Sequence, residues 1–151
     1  MKLDVQTILI VEDNDDDRFM IGRALKRMAT GLVVQFVASG QQAVAYLDGR
    51  GFYADRLRFP YPSFVVTDLA MHEGDGFFVL RHIRAVAPPL LRTMVLSDWD
   101  DPAYVRRAYE LGANRFCRKP QGMDALPPII SNFLNPDSVE SVGRHTPMRV
   151  A

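Results

Sequence analysis

Five short apolar or β-branched runs, at residues 7–11, 33–37, 64–67, 91–97 and 114–118, constrain this chain most, because each leads into a polar loop and then a helical pattern. Strand-length runs alternating with helix-length stretches build βαβ units. Their helical crossovers make the strands parallel and the connections right-handed. The first run, Thr7-Ile8-Leu9-Ile10-Val11, has no polar alternation, the pattern of a central strand covered on both faces. The expected fold is therefore α/β, a doubly wound five-stranded parallel sheet.

The stretches between the runs supply the helices. The acids 12–17 stop the first run, and the last of them are placed to cap and charge a helix reaching about residue 29, with Phe19, Met20, Leu25 and Met28 facing inward. A second helix over 41–47 offers Ala43, Val44, Tyr46 and Leu47 to the core, and Asp48-Gly49-Arg50-Gly51 ends it. Residues 52–62, rich in aromatics, Arg and Pro, read as a connection packed by its own side chains, with a partner surface as the alternative. A third helix over 76–84 presents Phe77, Phe78, Leu80 and Ile83 before Pro88-Pro89 breaks it. The fourth has Asp101 as N-cap and Pro102 at its first position, and runs to Leu111 before Gly112. Asp124 is placed to cap a fifth helix to about Leu134, with Pro127-Pro128 in its first turn. One domain is expected over residues 5–134, with 135–151 as a frayed tail and no output domain.

Composition removes several function classes. A chain of 151 residues with equal numbers of basic and acidic side chains suits one domain and lacks the basic stripe of a nucleic-acid platform. Its apolar runs fall far short of the roughly 18 residues of a membrane span. Met1-Lys2-Leu3-Asp4 lacks a signal-peptide core, and Cys117 is the single cysteine, so a cytoplasmic protein without disulfides is expected. Cys117 itself reads as core filler.

An Asp after an apolar run, as at Asp68, ordinarily serves a turn or a cap. Parallel strands, however, put all their C-terminal ends on one edge of the sheet, where open α/β folds bind ligands. Collecting those ends gives Glu12 and Asp13, then Asp68, Ser97 and Lys119. If the first and third strands are neighbours, three carboxylates crowd together at a cost that a cation relieves. Oxygen-only ligands favour Mg²⁺, and a hydroxyl and an ammonium opposite suit a phosphate. Acids stand where a nucleotide fold needs a glycine-rich loop, which counts against ATP and dinucleotides. An aspartate between Mg²⁺ and lysine suits nucleophilic attack on phosphorus to give an acyl phosphate.

The segments 8–14, 68–76, 95–97, 112–114 and 118–120, in that order, resemble the receiver domain of two-component response regulators over about residues 5–134. The long connection before the third strand is similar to that of single-domain regulators partnered with phytochrome-type histidine kinases. The resemblance implies a flavodoxin-like (βα)5 fold with strand order 2-1-3-4-5. Asp68 would then be phosphorylated by a sensor histidine kinase or histidine phosphotransfer protein. Mg²⁺ would be held by Asp13, Asp68 and the Ala70 carbonyl, with Glu12 acting through water. Lys119 would pair with the phosphoryl oxygens, while Ser97 and Phe116 would form the switch. Output would pass through protein contacts on the fourth helix, fifth strand and fifth helix, a homodimer included. Two residues depart from the family pattern: His72, where Pro is usual, expected to face solvent, and Asp98, where a small residue is usual, expected to turn outward and weaken phosphorylation moderately. Trp99 is expected to be partly packed and to report loop closure. The competing readings are a phosphorylation-independent pseudo-receiver and an aspartate-nucleophile phosphatase; the latter wants an acid where this chain has Ala70.

Overall fold

The computed structural model describes residues 5–28, 31–87 and 90–136. Strands β1 (Gln6–Val11), β2 (Leu32–Val37), β3 (Phe64–Thr67), β4 (Arg92–Ser97) and β5 (Arg115–Arg118) form one sheet in the order β2-β1-β3-β4-β5. All neighbouring pairs are parallel. Helices α1 (Asp15–Lys26), α2 (Gly40–Asp48), α3 (Gly76–Val86), α4 (Pro102–Glu110) and α5 (Leu126–Leu134) follow the strands in turn. This is the flavodoxin-like arrangement the alternation and the resemblance implied.

Alternate residues of each strand face opposite sides of the sheet. Ile8, Ile10, Phe64, Val66, Met94 and Leu96 meet Ile21 and Leu25 of α1 and Leu126, Ile130 and Phe133 of α5. On the other side, Leu9, Val11 and Val65 meet Ala43, Tyr46 and Leu47 of α2 and Val79 of α3. Burying each such side chain contributes roughly 1.5–3 kcal/mol. The central strands, closed on both faces, are thus the rigid base from which the strand-end loops project.

Helix phase and caps differ in places from the expectation. In α1 the inward stripe is Ile21, Ala24 and Leu25, with Met28 packing on the same core just past the helix end, whereas Phe19 is 67% exposed and Met20 also faces outward. Two residues subtend about 200° on a helix, so burying Ile21 turns Phe19 away. The acids are not the cap either: Asn14 accepts from the Asp17 N–H at 2.9 Å, and Asp15, Asp16 and Asp17 fill the first turn. The helix ends at Lys26, short of residue 29. Phe78 lies at the outer margin of α3 while Phe77, Val79 and Leu80 are buried. Asp101 occupies the N-cap position of α4 without a side-chain cap bond. Asp124 does not cap α5: a 3₁₀ turn over Met123–Ala125 precedes the helix, and Ala125 holds its N-cap position. Pro127 and Pro128 then fall in the first turn, where a missing N–H leaves no bond unmade.

The connection before β3 packs on itself, as the first of its two readings had it. Tyr46, Tyr53 and Phe59 meet at centroid separations between 5.1 and 6.0 Å. Arg56 donates to the carbonyls of Tyr46 and Leu47 at 2.7 Å, satisfying the open end of α2. The expectations for Pro88-Pro89 and for residues 137–151 lie outside the described residues.

Candidate functional site

Register brings the strand-end residues together. Val11 pairs with Thr67, so β1 and β3 end level, and the Asp68 N–H donates to the Val11 carbonyl at 3.0 Å. On the other side of β3, Ser97 ends β4, and the Lys119 N–H donates to its carbonyl at 3.0 Å. The loop after Asp68 turns back at once into α3 because Gly76 takes its first position. Its N–H donates to the Leu69 carbonyl at 3.0 Å, and an added Cβ would collide with the Asp68 carbonyl and stand 2.9 Å from Leu69 Cα. The same loop is tied to α2 through Glu73, at φ 55, and Gly74, whose carbonyls accept from the N–H groups of Gln41 and Gly40.

These ends line a cleft of about 220 Å³ formed by Glu12, Asp13, Asn14, Asp17, Asp68, Ala70, Ser97, Asp98, Trp99 and Lys119. Asp68 is almost wholly buried, and both its carboxylate oxygens are engaged. Oδ1 accepts from the Leu69 N–H at 2.6 Å and from Ala70 at 3.4 Å, while Oδ2 accepts from Lys119 Nζ at 2.7 Å. Lys119 also reaches Asp17 Oδ2 at 2.7 Å and Glu12 Oε2 at 2.9 Å. Asp13 is half-buried, and its Oδ2 accepts from the His72 N–H at 3.2 Å. The Ser97 hydroxyl is fully buried and accepts from the Trp99 N–H at 3.1 Å.

The charges explain one another. Burial pushes Glu12 up to about 7, with repulsion from Asp68 adding to it and the Lys119 hydrogen bond opposing it. Burial draws the Lys119 ammonium toward losing its proton, but hydrogen bonds to Asp17, Asp68 and Glu12 outweigh this and hold it above the usual lysine value. Among the described residues no three acidic, His or Cys side chains stand grouped as a ready metal centre. Of the three carboxylates expected to crowd there, Glu12 and Asp68 share the Lys119 ammonium as their cation, whereas Asp13 accepts from the His72 N–H instead.

The remaining residues are placed as follows. Phe116 is half-buried against Leu69, Phe77, Val95 and Ala108, and its N–H donates to the Tyr109 hydroxyl at 3.0 Å. Trp99 is 51% exposed and stacks on Tyr104 at 5.6 Å. His72 and Asp98 are both exposed, as expected. Cys117 packs beside the α1/α5 core, and burial pushes its thiol up. The sequence reading missed Asp17, which it took for part of a helix-charging run. Its one signal was position, a turn beyond Asp13 on the helix that leaves the site.

Carboxylates from two loops thus gather around a buried aspartate, a lysine and a hydroxyl at one edge of a parallel sheet. The chain belongs to the response regulator receiver domain family, whose model matches residues 8–131. It is similar to response regulator Rcp1 of Synechocystis, 28% identical over 123 residues that cover 80% of this chain and 81% of that protein. Among solved structures, the phosphorylated cyanobacterial phytochrome response regulator RcpA superposes with a TM-score of 0.78 at 28% identity, covering 90% of this chain and 99% of that one. The Mn²⁺-bound form of Rcp1 superposes at 0.74 and 25% identity, covering 93% and 99%. The chain carries a receiver domain of two-component signalling, and none of its described helices is long and apolar enough to cross a membrane.

Proposed function

We propose that Asp68 accepts a phosphoryl group from the phosphohistidine of a sensor histidine kinase or a histidine phosphotransfer protein. The observation that carries this is the Asp68 carboxylate itself. It is held by backbone N–H groups on one oxygen and by Lys119 at 2.7 Å on the other, at the mouth of an open cleft. An Asp68 oxygen attacks phosphorus, the P–N bond to the donor imidazole breaks with its electron pair going to the ring nitrogen, and that nitrogen takes a proton from solvent as the imidazole leaves. The Lys119 ammonium balances charge on the phosphoryl oxygens, and the Ser97 hydroxyl is near enough to the cleft to turn from the Trp99 N–H and donate to one of them.

The donor set suits a hard divalent cation: carboxylate and carbonyl oxygens, with no thiol or imidazole lining the cleft. Asp13, Asp68 and the Ala70 carbonyl would hold Mg²⁺, with Glu12 contributing through water. Bound there, it would neutralise the negative charge that otherwise opposes the approach of a phosphoryl group. Rcp1 binding Mn²⁺ supports a cation in this place.

Phosphorylation adds roughly −1.5 to −2 charges beside Ser97. That is the input expected to shift Ser97, Trp99 and Phe116, and so the face of α4, β5 and α5, where a kinase, a target or a second copy would read it. The phytochrome pathway named for RcpA makes a phytochrome-type kinase the preferred upstream partner. Incubation with acetyl phosphate and Mg²⁺ should raise the intact mass by one phosphoryl group, and Asp68→Asn should abolish the gain. An unchanged wild-type mass would leave the pseudo-receiver reading in its place.

A further inference from the structure

The Lys119 ammonium makes a third carboxylate contact that phosphoryl acceptance does not call for. Its bonds to Glu12 and Asp68 join strand ends of the sheet, but the bond to Asp17 crosses to the first turn of α1 at 2.7 Å. Asp17 is the most exposed of the three partners, its side chain 29% accessible against 2% for Glu12 and 8% for Asp68. It is also the partner whose release costs least, because water and the α1 N-terminus can both satisfy a freed carboxylate there.

We infer that Asp17 is a positioning residue that competes with the phosphoryl group for Lys119. The inference rests on Asp68 being the phosphoryl acceptor. In the unphosphorylated protein the N–H donors of Lys119 are spread over Glu12, Asp17 and Asp68. A phosphoryl group on Asp68 brings several strong acceptor oxygens and up to about two negative charges into the same few ångströms. Asp17 loses strength there twice over: its share of the ammonium shrinks, and its own charge repels the newcomer. A contact stronger before phosphorylation than after it favours the unphosphorylated state. Because Asp17 lies in the first turn of α1, its release also passes the event to a helix outside the α4, β5, α5 face.

The variant Asp17→Asn keeps size and shape while removing the charge. The probe is beryllofluoride, titrated at saturating Mg²⁺ and read through Trp99 fluorescence, with Mg²⁺ affinity measured separately by the same signal. Asp17→Asn is expected to bind beryllofluoride about five- to tenfold more tightly than wild type, the range set by one partly exposed charge-assisted contact. Asp17→Glu is expected to return most of the way to wild type, which a purely structural role for the position would not require. Equal or weaker beryllofluoride binding by Asp17→Asn, with wild type binding normally, overturns the inference alone. A wild-type protein that binds no beryllofluoride overturns the acceptor role of Asp68 and this inference with it.

Discussion

Lys119 Nζ lies 2.7 Å from Asp68 Oδ2, joining the end of β5 to the end of β3 across the intervening β4. The contact sets the chemistry of the edge. It gives an almost buried aspartate a counter-charge that it shares with Glu12.

Removing that cation should be costly. Lys119→Met leaves Glu12 and Asp68 buried and facing each other without a counter-charge. Breaking a buried ionic cluster from one side costs about 3 kcal/mol or more, so urea unfolding at pH 7 should show a loss of that size. A loss below about 1 kcal/mol, within what an exposed pair gives, would mean that solvent already screens the cluster.

Much of this site was legible from the chain alone, and the exceptions share a physical origin. Glu12, Asp13, Asp68, Ser97 and Lys119 were found because parallel strands end on one edge, a rule that needs no side-chain geometry. Asp17 escaped because an acid in a first helical turn already has a sufficient local role. Phe19 and Met20 were assigned inward on hydrophobicity, but α1 packs through Ile21 and Ala24, and the small Ala24 gives no apolar signal of its own. Asp124 does not cap because it lies inside a 3₁₀ turn that precedes α5, which leaves the N-cap position to Ala125.

Asp98 stands in the cleft lining yet faces solvent, so its charge acts through a screened medium. Asp98→Ala should tighten beryllofluoride binding by about two- to fivefold in dilute buffer, the scale of an exposed charge interaction. The gain should vanish near 1 M salt, where the screening length falls to about 3 Å. Equal affinities at low salt would show that the carboxylate is oriented clear of the ligand.

Gly76 allows α3 to begin against the Asp68 backbone. In Gly76→Ala the new methyl meets main-chain atoms of Asp68 and Leu69, which have no rotamer to yield. Overpacking of this kind costs about 2 kcal/mol, and here the displacement falls on the acceptor itself. The variant should therefore lose phosphorylation rate as well as stability. Retained rate with lowered stability would place the accommodation in α3 instead.

Tyr46 offers a test of the packed connection that is independent of the site. Its hydroxyl is buried and donates to the Pro60 carbonyl at 2.7 Å. Burial pushes the phenol up to about 12, while Arg56 pulls against that shift. A folded pKa above the unfolded value of about 10 means the folded state holds its proton more tightly. The associated stability is complete below pH 10 and is lost as pH rises through 12, at up to about 1.4 kcal/mol per pH unit. Tyr46→Phe removes both the bond and the titration. It should be less stable than wild type by about 1 kcal/mol at pH 8, and the gap should close above pH 10 as wild type alone loses ground. Denaturant unfolding of the two proteins across that range cancels the other groups that titrate there, and a constant gap would show that the hydroxyl is not confined by the loop.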